Sequence, residues 1–176
     1  MADEEKGKSK GIIVAALIAA AATVLTVLIP LGVFPSIYTP TPKPPSLLEE
    51  RVNEAVRKAE EARLEAYDAK AFAENTTRSD YGVYPYSEGD IYAGQIHNGK
   101  RNGYGVNEWP DGMTYAGEWQ NGKRNGYGVN KWPDGKKYAG EYKNDKRNGC
   151  GILYGKNGNV ISRGLWANGE LVDEVK

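Results

Sequence analysis

Few side chains here could do covalent or proton-transfer chemistry, and they do not converge. The chain has 176 residues with one histidine, His97, and one cysteine, Cys150. A hydrolytic or transfer site needs a nucleophile, a base within hydrogen-bond reach and a group to orient the base. Nothing of that kind recurs with His97. The decapeptide NGKRNGYGVN stands at 98–107 and again at 121–130, and a looser copy, NDKRNGCGIL, at 144–153. In the register of these copies His97 occupies the slot of Gln120 and Lys143, which marks a solvated strand face. Cys150 occupies the slot of Tyr104 and Tyr127 and reads as a small packing residue rather than a reactive thiol. One cysteine forms no intramolecular disulfide, and no Cys/His set is spaced for zinc. The expectation is a chain that is not an enzyme, with no catalytic residue, cofactor or metal.

Two other groups of side chains do recur, and both suit binding. Lys100-Arg101, Lys123-Arg124 and Lys146-Arg147 lie one unit apart. If each unit adds two strands, successive doublets are about 10 Å apart, near one Debye length. The six cations could line one edge and contact anionic lipid, or simply keep hairpin tips soluble and unpaired. The second group is aromatic: Tyr92, Tyr115, Trp119, Tyr138 and Tyr142. A single-layer sheet cannot cover both of its faces. Such a row must pack over glycines, lie under another element or remain exposed for a partner. Net charge is zero, which argues against nucleic acid. The zero conceals an asymmetry: residues 46–80 hold nine acids and six bases, residues 92–161 eleven bases and six acids.

The elements that must position these groups follow from the chain's composition shifts. Residues 1–10 are a polar tail. Residues 11–34 carry no charge, and as a helix they would extend about 36 Å, enough for a bilayer core of about 30 Å. They are expected to be an uncleaved transmembrane helix, since a signal peptide's apolar region is only about 7–15 residues long. Gly11, Ala15, Ala19 and Thr23 share one face of that helix, a spacing that lets membrane helices approach closely. Lys6, Lys8 and Lys10 precede it and the next base is Lys43, which places the N-terminus in the cytoplasm and the rest on the far side. The membrane itself is not specified by these residues, and a virion membrane is one option. Residues 35–45 are a proline-rich spacer, extended and semi-rigid.

Residues 46–74 read as a helical stalk. Ser46 and Glu49 fit a capping box. Leu48, Val52, Ala55, Ala59, Ala62, Ala66, Ala69 and Ala73 then step by four and three, a heptad seam that suits either a self-associating coiled coil or a single solvated helix. Residues 75–80 form a linker containing Asn75-Thr76-Thr77, a glycosylation sequon by pattern that matters only in a secretory lumen.

From 81 to 172 the chain repeats with a period of 23 residues, and 173–176 are a tail. YAGEW alternates like a strand, so that Tyr115, Gly117 and Trp119 share one side and Ala116 and Glu118 the other. NGKRN is read as the turn, GYGVNKW as the returning strand and WPDG as a second turn. A lone hairpin of this kind is marginal, so the unit must be copied to be stable. A half unit, YGVYPYSEGDI, precedes the three full ones, and a degraded one, SRGLWANGELV, follows them with one extra residue. The units resemble MORN repeats (membrane occupation and recognition nexus). The unit at 115–137 matches nearly throughout, 92–114 departs at Ile96, and 138–160 departs at Asp145, Cys150, Tyr154 and Gly155. The resemblance implies a mainly β fold, an elongated single sheet of antiparallel hairpins. It also implies membrane attachment, scaffolding or self-association rather than catalysis. The expected protein is a membrane-anchored scaffold that binds a protein partner or its own copy, with anionic-lipid contact as the alternative.

Overall fold

A computed structural model describes residues 44–86 and 89–175. The transmembrane helix expected at 11–34, the tail before it and the spacer up to residue 43 lie outside the described residues. Among the described residues no helix is long and apolar enough to cross a membrane.

Ser46 starts the helix as expected: its hydroxyl accepts from the Glu49 N–H at 3.2 Å, satisfying one of the orphan donors of the first turn. The Glu49 carboxylate does not close the box. It reaches Arg163 in the sheet instead. Helix α1 then runs over Leu47–Glu74 and ends at Asn75. The Asn75 side-chain amide donates to the Ala71 carbonyl at 2.7 Å.

Nine strands follow: β1 (Tyr81–Pro85), β2 (Ile91–His97), β3 (Lys100–Glu108), β4 (Thr114–Gln120), β5 (Lys123–Lys131), β6 (Lys137–Lys143), β7 (Lys146–Tyr154), β8 (Val160–Ala167) and β9 (Glu170–Glu174). They form one open antiparallel sheet in sequence order. The half unit supplies β1 and the degraded unit β8 and β9. The extra residue of the last unit is absorbed as a bulge, because Leu153 pairs with Ser162 and Tyr154 with Val160, leaving Ile161 over.

The hairpin turn is shorter than NGKRN. At the hairpin tips the pairs Asn98-Gly99, Asn121-Gly122, Asn144-Asp145 and Asn168-Gly169 adopt positive φ, the two-residue turn whose twist matches the strands it joins. Lys100, Lys123 and Lys146 already begin the next strand. At Asp145, where glycine is expected, the carboxylate lies 3.3 Å from the Arg124 guanidinium, an attraction that offsets the cost of a left-handed side-chain residue.

Helix α1 is not a free stalk, and its seam is not the seam of a coiled coil. Val52, Ala55, Ala59, Ala62, Ala66, Ala69 and Ala73 are all buried, and the occupant is this chain's own sheet. Val52 and Ala55 pack with Cys150 and Ile152, Ala59 with Val129 and Ala139, and Ala66 with Val106 and Ala116. The reason is a match of lengths. Seven helical residues advance about 10.5 Å, and one repeat, two strands, advances about 9.6 Å. The heptad therefore tracks the repeat. Over its 28 residues α1 extends about 42 Å, and it touches every strand from β1 to β8. At its centre the alanine seam meets small residues of the sheet, Val106, Ala116, Val129 and Ala139.

Candidate interaction surfaces

Three outcomes were open to the aromatic row: packing over glycines, shelter under another element, or exposure to a partner. The first is found. Tyr92, Tyr115 and Tyr138 are 0% exposed, Trp119 3% and Tyr142 4%. They lie on the face opposite α1. Each tyrosine ring lies across a glycine of the neighbouring strand: Tyr92 over Gly105, Tyr115 over Gly128, Tyr138 over Gly151. A Cβ at any of these glycines would collide with the ring. The phenol hydroxyls of Tyr92 and Tyr115 donate to the carbonyls of Gln95 and Glu118 at 2.6 and 3.0 Å. Trp119 Nε1 donates to Gly105 O at 3.1 Å, and Trp166 repeats the contact with Gly151.

The rings also meet one another. Tyr92, Trp119, Tyr115, Tyr142, Tyr138 and Trp166 form a zigzag of edge-to-face contacts with centroids 5.1–5.6 Å apart. Each such contact contributes about 0.5–1.5 kcal/mol beyond the area it buries. Burial holds the phenols of Tyr92, Tyr115, Tyr138 and Tyr142 well above their ordinary range. These five residues are core, and the exposed docking row foreseen from the sequence does not exist.

The basic doublets are divided by strand alternation. Lys100, Lys123 and Lys146 are exposed. Arg101, Arg124 and Arg147 turn to the aromatic face and are half-buried. Arg101 lies 4.3 Å from the centroid of Trp119, and Arg147 lies 4.2 Å from that of Trp166. Arg124 lies between Trp109 and Tyr142. The guanidinium groups also bond to the next hairpin: Arg101 to Gly122 O, Arg124 to Asp145 O and Arg147 to Gly169 O. The arginines therefore stack one repeat on the next, and of the six cations the three lysines alone are exposed at the turns.

Sequence reasoning missed the asparagines that receive these arginines. Asn107 and Asn130 are fully buried. Their Oδ1 atoms accept from Arg101 and Arg124 at 2.6 and 3.0 Å. A signal was present: Arg and Asn recur six residues apart in two copies, and the third copy has Leu153 in place of Asn. Gln95, Glu118 and Glu141 were also missed. Each fills a bulge in its hairpin, accepting from the backbone N–H of Tyr104, Tyr127 or Cys150 at 2.6–2.8 Å. Cys150 itself lies buried beneath α1, and burial raises its thiol pKa. His97 is exposed on its strand, as its slot implied.

With this geometry in hand, comparison with known families decides the repeat type. Residues 92–114, 115–137 and 138–160 match the MORN repeat. Three MORN repeats are thereby detected. The three matched segments are β2–β3, β4–β5 and β6–β7 with their outgoing loops, one hairpin to each MORN unit. No curated protein shows significant similarity to the chain. Among the described residues no group of three His, Cys, Asp or Glu is placed to hold a metal.

Proposed function

We propose that this chain is a non-catalytic MORN-repeat scaffold, tethered to a membrane by residues 11–34, that presents its sheet-and-helix unit to a protein partner. The observation that carries the reading is how the recurring side chains are used. The aromatics, the arginines and Asn107 and Asn130 are all spent holding one repeat to the next, so repetition here builds a platform rather than a reaction site. Three MORN repeats support a binding module, and the uncharged 24-residue stretch supports the tether.

The test uses full-length protein and a form lacking 11–34 in cells. The full chain is expected to resist alkaline carbonate extraction and to cross-link to a protein in that membrane, while the shortened form is released. Extraction of both forms alike would end the tether, and a full chain that cross-links to no protein would end the scaffold. Protease protection in sealed vesicles reports the side of the membrane, with protection of the repeats expected from the lysine flank.

One observation favours a lipid-contact reading as well. Lys100, Lys123 and Lys146 are exposed one repeat apart along one edge. Against an anionic membrane each contributes about 1 kcal/mol. Retention of the shortened form on anionic vesicles, lost as salt rises, would support this second reading.

A further inference from the structure

The two flanks of α1 differ. One is stitched to the sheet by ion pairs, Glu49–Arg163, Glu60–Lys137 and Lys70–Glu108, at 3.0, 3.0 and 2.6 Å. Along the other, helix and sheet leave a trough of three adjoining cavities of about 430, 620 and 290 Å³. The first two share Lys58 and Tyr127, and the last two share Glu65 and Tyr104.

Because the heptad tracks the repeat, the helix residues along this trough pair one to one with a single slot of the sheet. Arg51, Lys58, Glu65 and Phe72, seven residues apart, face Cys150, Tyr127, Tyr104 and Tyr81, which are 23 residues apart. Lys58 holds its ammonium 5.3 Å from the Tyr127 centroid and 3.6 Å from Glu54. Phe72 meets Tyr81 edge-on at 4.8 Å. The pair at Tyr104 is mismatched. Glu65 sets a carboxylate where the neighbouring pair sets a cation, and a ring's negative face does not attract an anion. Among the described residues Glu65 is in no ion pair. Glu61, Glu118 and Lys58 line the same cavity; Glu61 is paired with Arg57, and one oxygen of Glu118 accepts from Tyr127 N, which leaves Glu65 as the carboxylate with no ion-pair partner there.

We propose that this trough binds a basic segment of a protein partner, with one lysine or arginine of that segment seated over Tyr104 beside Glu65 and Glu118. The proposal rests on the scaffold reading and names the partner's chemistry. Charge complementarity selects the occupant, and Lys58 on Tyr127 shows, one repeat away, that an ammonium fits over this slot. The seat suits an organic cation, bound by a ring face and carboxylates.

Full-length protein in detergent is titrated into a fluorescein-labelled peptide, Lys-Ser-Ser-Lys-Ser-Ser-Lys, and anisotropy is read at low salt. A peptide with Glu in place of Lys serves as the control and is expected not to bind. Glu65→Lys fills the seat as Lys58 fills its own and is expected to weaken binding roughly tenfold or more. Glu65→Gln removes the charge alone and is expected to weaken it a few fold, which keeps the test valid if the lysine variant fails to fold. Glu170→Lys, the same charge change on the exposed edge strand, is expected to bind as wild type. Wild-type affinity in both Glu65 variants would overturn the proposal, as would an equal loss in Glu170→Lys. Either result would leave the scaffold reading standing, since that reading falls only if the full chain cross-links to no protein in its membrane.

Discussion

Arg124 and Asn130 lie six residues apart on β5, and the guanidinium Nη1 donates to the buried amide oxygen at 3.0 Å. The pair joins the aromatic ladder to the next hairpin, because the same guanidinium donates to Asp145 O and lies over Tyr142. Arg124→Ala would remove these bonds and leave Asn130 buried without a partner, a loss of about 2–4 kcal/mol. Lys123→Ala, one residue away on the exposed side, is expected to stay within about 0.5 kcal/mol of wild type. Urea denaturation of the two variants checks the contrast.

Gly128 tests the close approach of ring to backbone. A Cβ there would run into the Tyr115 ring, whereas at Gly122, φ +85°, nothing lies within 4 Å. Gly128→Ala is expected to cost about 3 kcal/mol or more through overpacking. Gly122→Ala bears only the left-handed backbone penalty, about 1–2 kcal/mol. Comparable losses in the two variants would contradict the packing of the ladder.

The buried phenols give a pH dependence with a definite sign. Tyr92, Tyr115, Tyr138 and Tyr142 have pKa values raised by burial above the ordinary 10.0. Each is held protonated in the fold and ionises more readily once unfolded. Their contribution is therefore complete below about pH 10 and is lost as pH rises above it. Tyrosinate absorbance from these residues should appear together with loss of the β circular-dichroism signal. Free titration near pH 10 with the fold intact would show that the rings are exposed.

Much of the fold was legible in the sequence, and the reasons for the rest are physical. Alternation in YAGEW, Asn-Gly turns and the 23-residue period specified the hairpins, because each depends on near neighbours in the chain. The exposure of the aromatics and arginines was not legible. Whether Tyr115 is covered depends on Gly128 across the strand and Trp119 beside it, and whether Arg124 is free depends on Asn130 and the next turn. The helix misled in a more instructive way. Its heptad was real, but a period of about 10.5 Å fits a β-repeat of about 9.6 Å as readily as it fits another helix. Only the matching rows, Arg51 to Phe72 against Cys150 to Tyr81, tell the two apart, and they become visible once helix and sheet are laid together.

The central claim is that α1 lies across this chain's own sheet, with the heptad seated on the repeats. The most direct measurement is disulfide formation under mild oxidation with Ala66→Cys and Ala116→Cys, two positions that pack together, set in a Cys150→Ser background. The account predicts that the double variant closes an intrachain bond and remains a monomer on a non-reducing gel, and that Ala66→Cys alone forms no dimer. Dimers linked through Ala66→Cys, with no intrachain bond in the double variant, would restore the free coiled-coil stalk and contradict the account.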